Sequence, residues 1–202
     1  MRAYTVLRLL GPGSIFLFEE HVRRLGEASR PALLRFSERA LPGVYAAVWD
    51  GTLSVTARPG SRLREGMRSR TVVSPFASHR GRFAKPAPPC GYDLVRAEGV
   101  VSLLTDGPGR LLHEACVAGL VAWDGAGLVL VPEDVPRVAS TAEAALAGRL
   151  AHRRAPLEVE AGWPLLLINA VVGTCSIDGA PFPADARAAI DAALGSPARP
   201  VG

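Results

Sequence analysis

Residues 103–123, LLTDGPGRLLHEACVAGLVAW, decide the fold of this 202-residue chain. They read as an apolar strand, a turn over Thr105 to Gly109, and a second apolar strand running on from Arg110 to Trp123, because Gly and Pro at those offsets stop a strand and reverse it. Glu114 stands out in the second strand. A carboxylate among apolar side chains is costly unless something pairs with it, so Glu114 is expected to face a partner. The alternative turns it outward from a half-buried strand.

Downstream, the turn at 124–127 (DGAG) leads into the strand LVLV, and 140–154, STAEAALAGRLAHRR, reads as one long helix. Ser140 and Glu143 form its capping box, and His152, Arg153 and Arg154 crowd its C-terminal end, where cations suit the helix dipole. Strands follow at LEVE, PLLLINAVV and TCSID. The last element, PADARAAIDAAL, reads as a helix with Pro183 near its start.

Upstream, AYTVLRLL, the Gly-Pro-Gly turn at 11–13 and SIFLF predict an opening hairpin. Phe18, Val22 and Leu25 then share one helical face, with Arg24 beside that apolar stripe. Two strands flank Asp50-Gly51, the strongest hairpin signal in the chain. Another strand is expected within 62–76. Residues 1–80 therefore form a β-rich block with one or two helices, and the Pro- and Gly-rich 81–90 is a crossover rather than regular structure.

Composition narrows the function. The net charge is +4, but the basic residues are spread along the chain between acids, with no run of five like charges. That excludes an obvious nucleic-acid surface and fits a preference for small acidic ligands. The longest uncharged stretch, 162–177, falls short of the ~20 residues of a spanning helix and carries Pro164 and Asn169. No targeting segment is expected at the N-terminus, and Cys90, Cys116 and Cys175, odd in number and far apart, suit reduced thiols in a cytoplasm. His113 and Cys116 alone do not make a zinc site. No Gly-x-Ser-x-Gly elbow, Walker loop or dinucleotide fingerprint occurs.

One residue type is nearly missing. Lys85 is the only lysine against 22 arginines. An amine can lose its proton and attack a carbonyl and a guanidinium effectively cannot, so Lys85 is the candidate nucleophile.

The order of an Arg on an early helix, a Lys in a crossover and a Glu on a later strand resembles the class IV aminotransferases, which include branched-chain and D-amino acid aminotransferases and aminodeoxychorismate lyase. The matching segments are YTVLRLL with FLFEEHVRRLGEAS, LLTDGPGRLLHEACVAGLVAW, and LLLINAVVGTCSIDGAPF. The resemblance implies an α+β fold of pyridoxal-phosphate type IV: a small N-terminal lobe (1–80), the crossover (81–90) and a larger, barrel-like C-terminal lobe (91–202). It implies pyridoxal 5'-phosphate as cofactor, a Schiff base on Lys85, Glu114 at the pyridine nitrogen and Arg24 on the phosphate. The backbone N–H groups of Val138, Ala139 and Ser140 would be the second phosphate contact, although Glu143 in the first helical turn would repel that anion. Asn169 belongs to the C-terminal cofactor-binding segment. An amino acid or acidic substrate and a homodimer follow from the same likeness, with no nucleic-acid or membrane partner. The chain departs from the family pattern at Gly119 (Asn in the family), at Ala139 (Thr) and Arg137 (Gly), and in the 29-residue step from Lys85 to Glu114. These departures leave a second expectation, a non-catalytic homodimer of the same fold.

Overall fold

The computed structural model describes residues 3–60, 63–84 and 91–195. Strand β1 (Ala3–Gly11) and the short β2 (Ser14–Ile15) make the expected opening hairpin. Helix α1 (Phe18–Leu25) follows, and Gly26, at φ 99°, ends it in a backbone conformation that side chains resist. A 3-10 turn, Glu27–Ser29, leads into α2 (Arg30–Arg39), with Pro31 in its first turn. Strands β3 (Gly43–Trp49) and β4 (Leu53–Arg58) flank Asp50-Gly51 as their sequence predicts. The four strands form one antiparallel sheet, β2-β1-β3-β4. Leu7, Leu9 and Ala47 on the sheet pack against Val22, Leu25 and Leu33 on the two helices.

The rest of the chain runs β5 (Arg68–Val73), β6 (Arg82–Phe83), α3 (Gly91–Val95), β7 (Val100–Thr105), β8 (Leu111–Ala115), β9 (Gly119–Trp123), β10 (Leu128–Leu130) and β11 (Arg137–Val138). It continues through α4 (Thr141–Ala147), β12 (Arg153–Arg154), β13 (Leu157–Glu158), β14 (Leu165–Asn169), β15 (Gly173–Ser176) and α5 (Ala184–Leu194). Two sheets face each other across the main core, β13-β8-β7-β5 and β12-β10-β9-β14-β15, and β6 and β11 make a separate parallel pair. Strand β5 lies inside the 1–80 block yet pairs in parallel with β7, so the change of sheet falls after β4 rather than at residue 80.

Alternation along the strands explains the layers. Leu120 and Ala122 of β9 and Leu167 of β14 point into the core between the two sheets, meeting Leu103 and Leu112. Val121, Leu166 and Ile168 point the other way and are covered by Leu146 of α4 and by Ile190 and Leu194 of α5. Phe16 and Leu17, from the turn before α1, insert into this second layer, so the N-terminal lobe shares a core with the C-terminal one. Leu17 holds a left-handed φ of 55° to do so.

Two expectations are corrected. Residues 110–123 are not one strand: the chain turns at Cys116 to Ala118, where Ala115 and Ala118 exchange backbone hydrogen bonds of 3.0 and 3.2 Å, and passes from one sheet to the other. The helix expected over 140–154 stops at Ala147. Gly148 ends it, and Arg153 and Arg154 pair in parallel with Val129 and Leu130 of β10 as strand β12, which satisfies backbone groups that a frayed helix end would leave open. Among the described residues no helix is long and apolar enough to cross a membrane.

Candidate functional site

The site is built on the outer face of the β7-β8 pair. Between the pairs Leu104–Glu114 and Thr105–Leu112, β8 carries one extra residue, His113. In a regular strand Leu112 and Glu114 would share a face; the bulge lets Leu112 stay in the main core while Glu114 turns outward beside Leu104. Glu114 remains buried there, at 6% exposure. The partner expected from its burial cost is Tyr92, whose hydroxyl donates to Glu114 Oε1, and the Val138 N–H donates to the same oxygen at 3.2 Å.

Tyr92 reaches Glu114 because α3 lies close against the segment after β5. A Cβ on Gly91 would stand 2.9 Å from Phe76 Cζ and 3.1 Å from Pro75 Cβ, so only glycine permits the approach. The Phe76 and Tyr92 rings then pack at 4.8 Å, and Leu104, Val95 and Val138 close the pocket around the tyrosine.

Arg24 comes from α1. His21, one turn earlier on the same helix, is fixed to β1 by a 2.8 Å hydrogen bond between its Nδ1 and Thr5 Oγ1, which sets the helix rotation. Burial pulls the Arg24 guanidinium down to about 10, and the Glu114 carboxylate opposes that fall. Arg24 Nη2 is buried with no hydrogen-bond partner among the described residues. A buried donor left unmade costs about 1–3 kcal/mol, so the position favours an anion that would use it.

The other expected site residues are placed differently. Lys85 lies outside the described residues; the chain reaches Ala84 from Phe83, which pairs with Val138, neighbour of the Glu114 oxygen. The Val138 N–H is held by Glu114, and the Ala139 N–H donates to the Phe83 carbonyl at 3.0 Å. Asn169 spends its side chain locally, donating to the Val117 carbonyl and accepting from the Val171 N–H at 2.7 Å, and so braces the turn that follows Glu114. Gly119 is tightly packed, since a Cβ there would meet Ser140 Oγ at 3.2 Å and Ile168 Cγ1 at 3.3 Å.

Glu143 does not act as a reciprocal cap. Ser140 Oγ accepts from its N–H at 3.3 Å, but the carboxylate binds three guanidiniums through Oε1: Arg137 at 2.6 Å, Arg154 at 2.8 Å and Arg82 at 3.0 Å. Its negative charge is therefore spent before it can repel a ligand anion. Neither this cluster nor the Tyr92 contact was anticipated. The signal for Tyr92 was the unpaired cost of Glu114; the chain holds only three tyrosines, and Tyr92 opens the helix just before β7.

Chemically, a buried carboxylate fixed by two donors and a half-buried guanidinium with one buried, unused N–H present one acceptor and one cation to a small ligand. No protein-family model and no curated protein matches the chain. Solved structures do. A protein provisionally assigned as a 4-amino-4-deoxychorismate lyase superposes with a TM-score of 0.68 at 20% identity, over 98% of this chain and 90% of its own. The 4-amino-4-deoxychorismate lyase from Pseudomonas aeruginosa gives 0.62 at 20%, over 90% and 85%. An aminotransferase from Brucella abortus, solved with pyridoxal phosphate bound, gives 0.68 at 14%, over 96% and 87%. The chain has the mixed α/β fold of these proteins, the fold that its resemblance to class IV aminotransferases implies.

Proposed function

We propose that the protein is a pyridoxal-phosphate-dependent enzyme, a class IV aminotransferase or an aminodeoxychorismate lyase-like enzyme, acting on an amino acid or an amino-chorismate type acidic substrate. The observation that carries the reading is Arg24: a half-buried arginine whose Nη2 is buried with an unused donor, near a buried carboxylate, on a fold whose relatives include one solved with this cofactor. Pyridoxal phosphate supplies, when bound, an electron-accepting ring that stabilises negative charge on the substrate carbon carrying the amino group.

Arg24 would hold the phosphate, its planar fork of donors matching the oxygens. Glu114 would face the ring nitrogen and keep a proton on it. Lys85 would supply an amine able to lose its proton toward the cofactor aldehyde and to move a proton at the substrate carbon, which a guanidinium cannot do. The positive net charge draws acidic substrates, and the reading places a homodimer in the cytoplasm, where the described thiols Cys116 and Cys175 stay free.

Protein purified with the cofactor should be yellow, borohydride should fix the cofactor to the peptide containing Lys85, and Lys85→Ala should be colourless. Colour that survives Lys85→Ala excludes the proposed attachment. One observation favours a second reading, a non-catalytic homodimer: the Val138 and Ala139 N–H groups already have protein partners. Folded wild-type protein that takes up no cofactor supports that reading over the first.

A further inference from the structure

We propose that Tyr92 is a positioning residue for Glu114: with the Val138 N–H, its hydroxyl holds the carboxylate ionised and fixes which way it faces. The inference rests on the function proposed above for the meaning of that orientation, but the contact itself is seen directly in this chain.

The Tyr92 hydroxyl and the Val138 N–H converge on one oxygen, Glu114 Oε1. Two donors on a single carboxylate oxygen stabilise the charged form and remove rotation about the last side-chain bond. The donors come from different elements, the start of α3 and strand β11, so the carboxylate is clamped across the pocket rather than tethered along its own strand. The route to Tyr92 is equally specific, because α3 approaches only where residue 91 lacks a Cβ. Phe76 against the Tyr92 ring then sets the direction of the hydroxyl. A buried tyrosine needs a partner for its hydroxyl, and a buried carboxylate needs donors; here each answers the other.

Arg24 from α1, Tyr92 from α3 and Cys116 just past the end of its own strand each act on Glu114. Arg24 supports the charged form and Cys116, a thiol that burial keeps protonated, adds no charge. Tyr92 adds a side-chain donor that both holds and orients the carboxylate.

The test reads Glu114 directly in cofactor-free protein. Side-chain carboxyl carbon resonances of ¹³C-labelled glutamate are followed with pH, the Glu114 signal being identified by its loss in Glu114→Gln. Tyr92→Phe keeps the ring and removes one oxygen; the Glu114 midpoint should move to higher pH than in the wild type. Replacing the tyrosines with 3-fluorotyrosine, a stronger donor of nearly the same shape, should move it to lower pH, and this arm remains readable if Tyr92→Phe does not fold. A Glu114 titration unchanged by both replacements overturns the proposal. With cofactor added, Tyr92→Phe should bind it more weakly than wild type, because Glu114 must then be ordered toward the ring nitrogen on binding. Wild-type protein that binds no cofactor while its Glu114 midpoint still responds to Tyr92 refutes the proposed function and leaves the clamp standing.

Discussion

Glu143→Gln tests a buried carboxylate that binds three arginines. Glu143 and Arg137 are almost fully buried, with side-chain exposures of 3% and 2%, and their 2.6 Å contact is the shortest of the three that Glu143 makes with arginines. Without the charge of Glu143, Arg137 keeps the Val131 carbonyl at 3.1 Å as its remaining acceptor, while its Nε and Nη1 already lack partners among the described residues. Burial already pulls the Arg137 guanidinium down, with Glu143 opposing, so the lost carboxylate exposes a cost that is large and internal. Breaking a buried pair costs about 3–5 kcal/mol. Arg82 and Arg154 add little, because each is partly exposed and retains Glu133 at 3.2 Å. The glutamine oxygen can still accept one hydrogen bond, which places the effect near the lower end. At about 2–4 °C per kcal/mol for a chain of this length, the melting temperature should fall by about 6–12 °C in scanning calorimetry. The loss should change little with added salt, since the pair is buried. The double change Arg137→Met with Glu143→Leu removes both buried charges and should recover part of the loss. A melting temperature within about 2 °C of wild type for Glu143→Gln, or a double variant worse than the single one, would refute the assignment of the energy to this pair.

Two further outcomes follow from local geometry. Gly91→Ala drives a Cβ to 2.9 Å from Phe76, so urea unfolding should show a loss of about 1–3 kcal/mol, and an unchanged midpoint would mean that α3 does not sit as described. Asp124 Oδ1 accepts from the Ala126 and Gly127 N–H groups at 2.8 Å each, and Arg153 adds its charge; together, the Ala126 bond foremost, they hold the carboxyl at about 2 against an ordinary 3.8. A folded-state value below the unfolded one stabilises the protein above pH 3.8 and loses that contribution as the pH falls through 2. Asp124→Asn should flatten the stability profile across this window; a carboxyl titration midpoint near 3.8 in the wild type would remove the basis for it.

What the sequence discloses and what it hides divide along contact range. The Asp50-Gly51 hairpin, the amphipathic face that carries Arg24 and the buried cost of Glu114 are local signals, and each appears where it was expected. The turn from β8 to β9 was invisible because Cys116, Val117 and Ala118 are as apolar as the strands beside them. The helix after Ser140 read too long because its Arg-rich tail satisfies the dipole rule equally well as a helix end or as a strand edge; Glu143 and β10 decide between them from a distance. Tyr92 was hidden for the same reason. Its contact with Glu114 spans 22 residues and depends on the missing side chain at Gly91, which sequence spacing does not express.

Phe16 and Leu17 seat the opening lobe in the hydrophobic layer beneath α4 and α5. A chimera that exchanges the first sixty residues for those of another protein of this fold must therefore bring a matching hollow with it. The exchange unit is the plug together with the socket formed by Leu146, Ile168 and Ile190, and a transplant cut at the lobe boundary leaves two greasy surfaces in water.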